Sequence, residues 1–257
     1  MIFPGISHPA FRDALCYGVS ISFEELDFQQ TPLGDLYLRC RRMPSLGELD
    51  IYEVKLGDAF LMSSLFHVVE EELSRLGLSE LEQGEWDVVV GGLGLGYTAV
   101  AALEHEAVRS LLVIDALAPV IEWHQRGLVP LGSRLTGDAR CRLQLGDFFA
   151  LATSESGFDL QQPGRRFDAI LLDIDHSPRD LLHPLNASFY TPEGLRALAV
   201  QLRPGGIFAM WSDEAPDEEF MQTLDTAFAG SRAHVVTFPN PLLETESAST
   251  VYVSRTT

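Results

Sequence analysis

Positive charge is scarce in this chain. Among 257 residues, 18 are Lys or Arg against 37 Asp or Glu, a formal net charge of −19. Such a surface repels phosphate backbones and anionic lipid and attracts cations. Nucleic acid and membrane are therefore set aside as partners, and a small cationic molecule is admitted. Cysteine is equally sparse: Cys16, Cys40 and Cys141 are far apart and form no CxxC pair. That argues against a disulfide framework and against structural zinc. No cluster of His, Asp and Glu has the spacing of a metal site, so no metal is expected. The start, "MIFPGISHPAFRD", lacks a basic segment followed by an apolar run, so no signal peptide is read there. No stretch approaches the ~18 uninterrupted apolar residues of a membrane helix. The expected location is the cytoplasm. Internal repeats and low-complexity segments are also missing.

What the chain does have is apolar material, 46% of its residues, enough for a sizeable core. From about residue 85 short apolar strands alternate with helical segments. "WDVVV" (86–90) runs into "GGLGLG" and an alanine-rich helix; "SLLVID" (110–115) is followed by a helix containing "PVIEWHQ". "CRLQL" (141–145) leads to "GD" and a short helix, "FFALAT". "FDAILLD" (167–173) is apolar on both faces, as a central parallel strand should be. A helix over 191–202, with Pro192 in its first turn, precedes the strand "IFAMW" (207–211). A further helix is expected over about 217–228. "HVVTF" (234–238) and "TVYV" (250–253) leave no room for a helix between them and should pair antiparallel. The pattern predicts an α/β fold: a doubly wound, mostly parallel seven-stranded sheet of Rossmann-like type with an antiparallel edge strand. Residues 1–84 read as a small β-rich region with a linking helix, "SLFHVVEEELSRLGL", and residues 85–257 as the main domain.

Three features fall at successive strand ends, where ligands bind in such sheets. Gly91, Gly92, Gly94 and Gly96 lie between a strand and a helix, where backbone N–H groups can face a ligand. A dinucleotide fingerprint would want a further glycine where Tyr97 stands, which sets a nicotinamide oxidoreductase back. Asp115 ends the second strand, where a carboxylate can accept ribose hydroxyls. Asp147 follows the third, placed to reach an adenine amino group with Phe148 against the ring. The fourth strand opens onto Asp173, Asp175 and His176.

The glycine loop, Asp115, "GD" at 146–147, "FDAILLD" and "LRPGG" together resemble a class I S-adenosylmethionine-dependent transferase. More closely they resemble the spermidine synthase (polyamine aminopropyltransferase) family over roughly residues 85–255, with "SFYTPEGLRALAVQLRPGG" the most specific run. The resemblance implies S-adenosylmethionine or its decarboxylated form as co-substrate. Gly92 and Gly94 would line its site, Asp115 would hold the ribose and Asp147 the adenine. It implies that Asp173 engages the acceptor amine, and it admits a homodimer. Two departures stand out. The family's second acid, three residues after the first, is His176 here, with Asp175 one position early. The family's loop reads G-G-G-D-G-G, and its aspartate falls on Gly94. Without that acid, intact S-adenosylmethionine and methyl transfer are slightly favoured, while the family itself favours aminopropyl transfer. Asp173 is cast as anchor and proton acceptor, and His176, with an ordinary pKa near ~6.5, as a proton shuttle. His183 is a weaker candidate, and His124 reads as helix surface. Met62, Ser63 and Ser64, read at the entry to the linking helix, are candidate acceptor contacts. The alternative class is a binding protein that keeps the fold without catalysis.

Overall fold

A computed structural model describes residues 22–257. Cys16 and the opening segment read for a signal peptide lie outside them. The chain divides into two compact units, Met1–His67 and Val68–Thr257.

In the smaller unit, β1 (Ser22–Thr31), β2 (Gly34–Met43), β3 (Leu49–Leu56) and β4 (Ala59–Ser63) form an antiparallel meander in sequence order. Leu36 and Leu38, two apart on β2, share one face and are buried with Ile51 and Val54 of β3. Met62 and Ser63 belong to β4 rather than to a helix entry. The Ser63 and Ser64 hydroxyls accept from the Leu65 and Tyr52 amides, a turn-closing role.

The larger unit opens with helix α1 (Val68–Ser79). The expected boundary at 84/85 therefore moves to 67/68. The reason is burial: α1 lays Val69, Leu73, Gly77 and Leu78 inward and packs against the helix and strands that follow it. Those are β5 (Trp86–Gly91), α2 (Tyr97–Leu103), β6 (Val108–Asp115), α3 (Ala118–Gln125), α4 (Gly132–Thr136), β7 (Cys141–Leu145), α5 (Phe148–Ala152) and β8 (Phe167–Leu172). They continue with α6 (Pro192–Val200), β9 (Leu202–Ser212), α7 (Glu218–Leu224), β10 (Gly230–Asn240) and β11 (Thr245–Arg255).

The sheet runs β10-β11-β9-β8-β5-β6-β7. Its five strands β9 to β7 are parallel, and β11 is antiparallel to both neighbours. The seven strands and their mostly parallel order are as expected; the place of the antiparallel strand is not. It lies one strand in from the edge, because the chain leaves β9 through α7, skips one position to form β10, and returns by a hairpin into the gap. Burial explains the choice. "TVYV" is apolar on both faces, and Val251, Tyr252 and Val253 are all at most 5% exposed. Val235 of "HVVTF" is 57% exposed, which suits an edge.

On one side of the sheet an aromatic cluster of Phe148, Phe158, Phe189, Tyr190, Phe208 and Phe220 fills the core. The chain winds from β5 through β6 and β7 on one side of β5, then crosses to β8 on the other. The reversal between β5 and β8 opens a crevice at their carboxyl ends.

Candidate active site

The crevice is built on a tight seam. The Asp173 N–H donates to the Gly91 carbonyl at 2.8 Å, joining the last residue of β5 to the first residue beyond β8. Gly92, at φ +93°, has its Cα pressed against the Asp173 carbonyl oxygen, where any Cβ would collide. A Cβ on Gly91 would strike the Phe148 ring, and one on Gly96 would crowd Leu135 and His124. These glycines are required first by packing, and the packing shapes the loop.

Asp115, at the end of β6, holds that loop from the other side. Its Oδ2 accepts the Leu93 N–H at 2.9 Å, its Oδ1 accepts the Leu117 N–H at 2.8 Å, and the Gly94 N–H bonds to it as well. Burial raises its pKa, against the pull of those three bonds. A carboxylate has about four acceptor positions, so one remains for a ribose hydroxyl. Asp147 caps α5 through Oδ1, accepting from Phe149 at 2.9 Å and Ala150 at 3.2 Å. It is exposed, and both capping bonds fall on the one oxygen. Phe148 does not stand beside it as expected. The ring is 1% exposed, stacked on Phe158 at 4.9 Å, because α5 turns its first residue into the aromatic core. Phe149, half-buried, is the neighbouring ring nearer the surface.

His124 is not helix surface. It is 1% exposed, and its Nε2–H donates to the Gly94 carbonyl at 2.9 Å. Burial lowers its pKa, consistent with a neutral imidazole. The signal was available: Val120, Ile121 and His124 recur at helical spacing and share the buried stripe of α3. Gly94, at φ +45°, is thus gripped at both its N–H and its carbonyl.

The mouth of β8 separates three residues that sit side by side in sequence. Asp175 faces inward, 2% exposed, and accepts from the Leu182 N–H at 2.8 Å, Asn186 Nδ2 at 2.9 Å and the Tyr190 hydroxyl at 2.9 Å. These bonds fold the loop between β8 and α6, so its role is to hold that loop and not to meet an acceptor. His176 is 5% exposed, with its carbonyl accepting the Asp213 N–H at 2.7 Å. His183 is exposed and caps the 3₁₀ turn Pro184–Ser188, its Nδ1 accepting from Leu185. Of the three at the mouth of β8, Asp173 is the least buried. Its Oδ2 accepts from the Thr98 hydroxyl at 2.6 Å, and burial pushes its pKa up to about 6.

Two acids that the sequence reading missed are linked to this end of the sheet: Asp213, and Glu70, on which the Asp173 and Asp213 charges both act. Asp213 follows β9 and is raised by burial. Glu70, in the first turn of α1, is held well above the usual range by burial and by the Asp173 charge. Neither falls in a motif; each is brought in by the packing of its element. Among the described residues no Lys, Arg or His side chain pairs with Glu70 or Asp173. None of the described His, Cys, Asp and Glu side chains form a metal-holding group of three or more.

Comparison with known proteins bears on this arrangement. No family model matches the chain. A polyamine aminopropyltransferase of Prochlorococcus marinus (strain MIT 9313) is 31% identical over 159 residues, 61% of this chain and 50% of that protein. The chain thus matches half the length of this curated relative. A crystal structure of spermidine synthase from Thermotoga maritima superposes with a TM-score of 0.66 at 16% identity, over 91% of this chain and 73% of the other. The chain is similar in sequence to an aminopropyltransferase over part of its length and similar in fold to spermidine synthase. A spermidine synthase in complex with the transition-state analogue AdoDATO superposes equally well, at TM-score 0.66 and 16% identity, over 91% of this chain and 74% of the other. The Rossmann-like sheet and the small antiparallel amino-terminal sheet are both part of this likeness.

Two predictions separate the neighbouring aspartates. Asp175→Ala strips partners from Leu182, Asn186 and Tyr190 and should cost about 3 kcal/mol in denaturant unfolding. Asp173 behaves oppositely. Its value of about 6 lies above the ordinary 3.8, so its contribution to stability is intact below about pH 4 and is lost as pH rises through 6. Asp173→Asn should therefore melt above the parent protein at pH 8 and converge with it at pH 4, and a lower melting point at pH 8 would refute the buried-carboxyl account.

Proposed function

We propose that this chain transfers an aminopropyl group from decarboxylated S-adenosylmethionine to a small amine. The observation that carries the reading is Asp173: a carboxyl at the β5/β8 switch point, one hydrogen bond from the glycine loop, with a pKa pushed up to about 6. Its surroundings are acidic, which suits an acceptor that arrives as an ammonium ion.

The residues present fit a nucleoside donor. The glycine loop, the remaining acceptor position of Asp115 and the second oxygen of Asp147 lie at the carboxyl ends of β5, β6 and β7. We assign Asp115 to the ribose and Asp147 to the adenine amino group. When bound, the donor supplies a carbon activated by an adjacent sulfonium, which leaves as a neutral thioether. The nucleophile must be a neutral amine held within about 3–3.5 Å of that carbon. Asp173 first binds the ammonium form, which draws its own pKa down. It then takes the proton that the amine must lose. A carboxyl poised near neutrality is better matched to that task than an ordinary one.

The expectation of methyl transfer rested on Gly94 alone. The curated relative is an aminopropyltransferase by name and the similar structures are spermidine synthases by title, which supports the other reading. Physics agrees: selectivity against a carboxylate-bearing donor does not require the acid to come from the loop. Glu70 on α1, Asp173 after β8 and Asp213 after β9 bring three acidic groups to this end of the sheet from outside the loop, and a cation-bearing donor favours their ionised forms. At an effective dielectric of about 20, one charge pair at ~4 Å amounts to roughly 4 kcal/mol, enough to set a preference between donors.

Titrating both nucleosides into the protein tests this directly. The decarboxylated donor should bind more tightly, and mass spectrometry should find an aminopropylated amine as product. Tighter binding of intact S-adenosylmethionine with a methylated product would overturn the proposal. Asp115→Ala should weaken donor binding by about 1–3 kcal/mol, since a buried charged acceptor is lost. Asp173→Asn should leave donor affinity unchanged while transfer falls by about 10-fold or more.

A further inference from the structure

Glu70 is a buried acid whose side chain bonds to its own backbone, and among the described residues no basic side chain pairs with it. A helix N-terminus favours an acidic side chain, but Glu71 meets that need at the surface, paired with Arg75 at 2.9 Å. Glu70 is 6% exposed and lies on the inward face of α1 with Ser74 and Gly77. That face is fixed at two further points. Gly77 sits so close to Leu171 and Ala209 that an added Cβ would lie 3.0 Å from each. The Ser74 hydroxyl donates to the Thr98 carbonyl at 2.6 Å, and the Thr98 hydroxyl donates to Asp173 at 2.6 Å. From Gly77 back to Glu70 the helix therefore advances toward the carboxyl ends of β8 and β9. Glu70 arrives there one turn beyond Ser74, at the level of Asp173.

Among the described residues, every charged group that acts on Glu70 is acidic. Asp173 acts on it from the end of β8, Asp213 from the end of β9, and Glu71 from its own helix. From α2 the facing group is the neutral hydroxyl of Thr98. Burying like charges without a cation is costly and persists only where something offsets it.

We propose that Glu70 is the second carboxylate of the acceptor site, standing in for the acid that His176 replaces, and that it binds an incoming ammonium together with Asp173. This rests on the aminopropyl-transfer reading and adds a residue to it that no motif marks. In the free protein burial and the Asp173 charge favour the protonated form of Glu70. A cation entering between the two carboxyls favours the ionised form instead, and the proton displaced leaves to solvent. Glu70 binds the acceptor and Asp173 accepts the proton lost in transfer. The two residues therefore divide the tasks that a single acid would perform poorly.

Calorimetry of 1,4-diaminobutane binding, with 5′-methylthioadenosine occupying the donor site, tests the division. Measured at pH 7 in two buffers of different ionisation enthalpy, wild type should release protons as the diamine binds. Glu70→Gln should bind the diamine about 10-fold or more weakly, with little proton release and unchanged nucleoside affinity. In steady state it should raise the diamine KM more than it lowers kcat. Glu70→Asp, which keeps the charge and shortens the reach, should recover part of the affinity. Because Glu70→Gln removes a buried acid held above its ordinary range, it should also be no less stable than wild type at pH 8. Equal diamine affinity and equal proton release in wild type and Glu70→Gln would overturn the assignment of Glu70 while leaving the transferase reading intact. Failure of wild type to bind the diamine at millimolar concentration, with the nucleoside bound, would overturn both.

Discussion

The architecture of the site depends on the closure of β5 against β8. One backbone hydrogen bond, from Asp173 to Gly91, and one close approach, of Gly92 to the Asp173 carbonyl, set the width of the crevice at the point where strand order reverses. Because the Gly92 Cα has no room for a side chain, the loop must turn at that spot. Once turned, its N–H groups fall on Asp115 and its Gly94 carbonyl on His124. The loop, Asp115 and Asp173 are therefore tied into one assembly, as the proposed positioning of a nucleophile against an activated carbon would demand.

Buried charge is handled in opposite ways at the two ends of the sheet. At the amino-terminal ends of the strands, Asp87 is 1% exposed and ringed by Arg109, Arg165 and Arg203. Burial would raise its pKa, but hydrogen bonds from Arg109, Arg203 and Ser110 overcome that and hold it well below the ordinary range. Asp159 is matched in the same way by Arg142 and Arg165. At the carboxyl-terminal ends Glu70 and Asp173 receive no guanidinium from the described residues, and both are raised. Among the described residues, the scarce basic side chains neutralise buried acids at one end, and the raised carboxyls at the other are what the proposed function uses. Carboxyls raised by burial near a crevice are where functional sites are found.

Asp173 and Asp175 show how finely this depends on direction. Two residues apart, both are withdrawn from bulk water. Asp175 has its carboxylate satisfied by three different donors, and the loop that supplies Asn186 and Tyr190 is organised around it. Asp173 has a single side-chain hydroxyl on one oxygen. A fully satisfied buried acid stabilises a fold, whereas an under-satisfied one is available for chemistry.

By itself the sequence determined the strand and helix order, the sheet type and the strand ends that bear the glycine loop, Asp115, Asp147 and Asp173. Those follow from local periodicity and turn chemistry, which act over a few residues. Tertiary structure decided what local pattern cannot carry. It put β11 inside the sheet because its two apolar faces needed cover, and it drew Phe148 into the aromatic core. It turned Asp175 inward to close a loop, and it buried His124 behind Gly94. It also delivered Glu70 and Asp213 to the crevice from elements more than 100 residues apart in the chain. The character of an acid is set by who surrounds it, and for these residues the neighbours come from other strands and helices, chosen by packing.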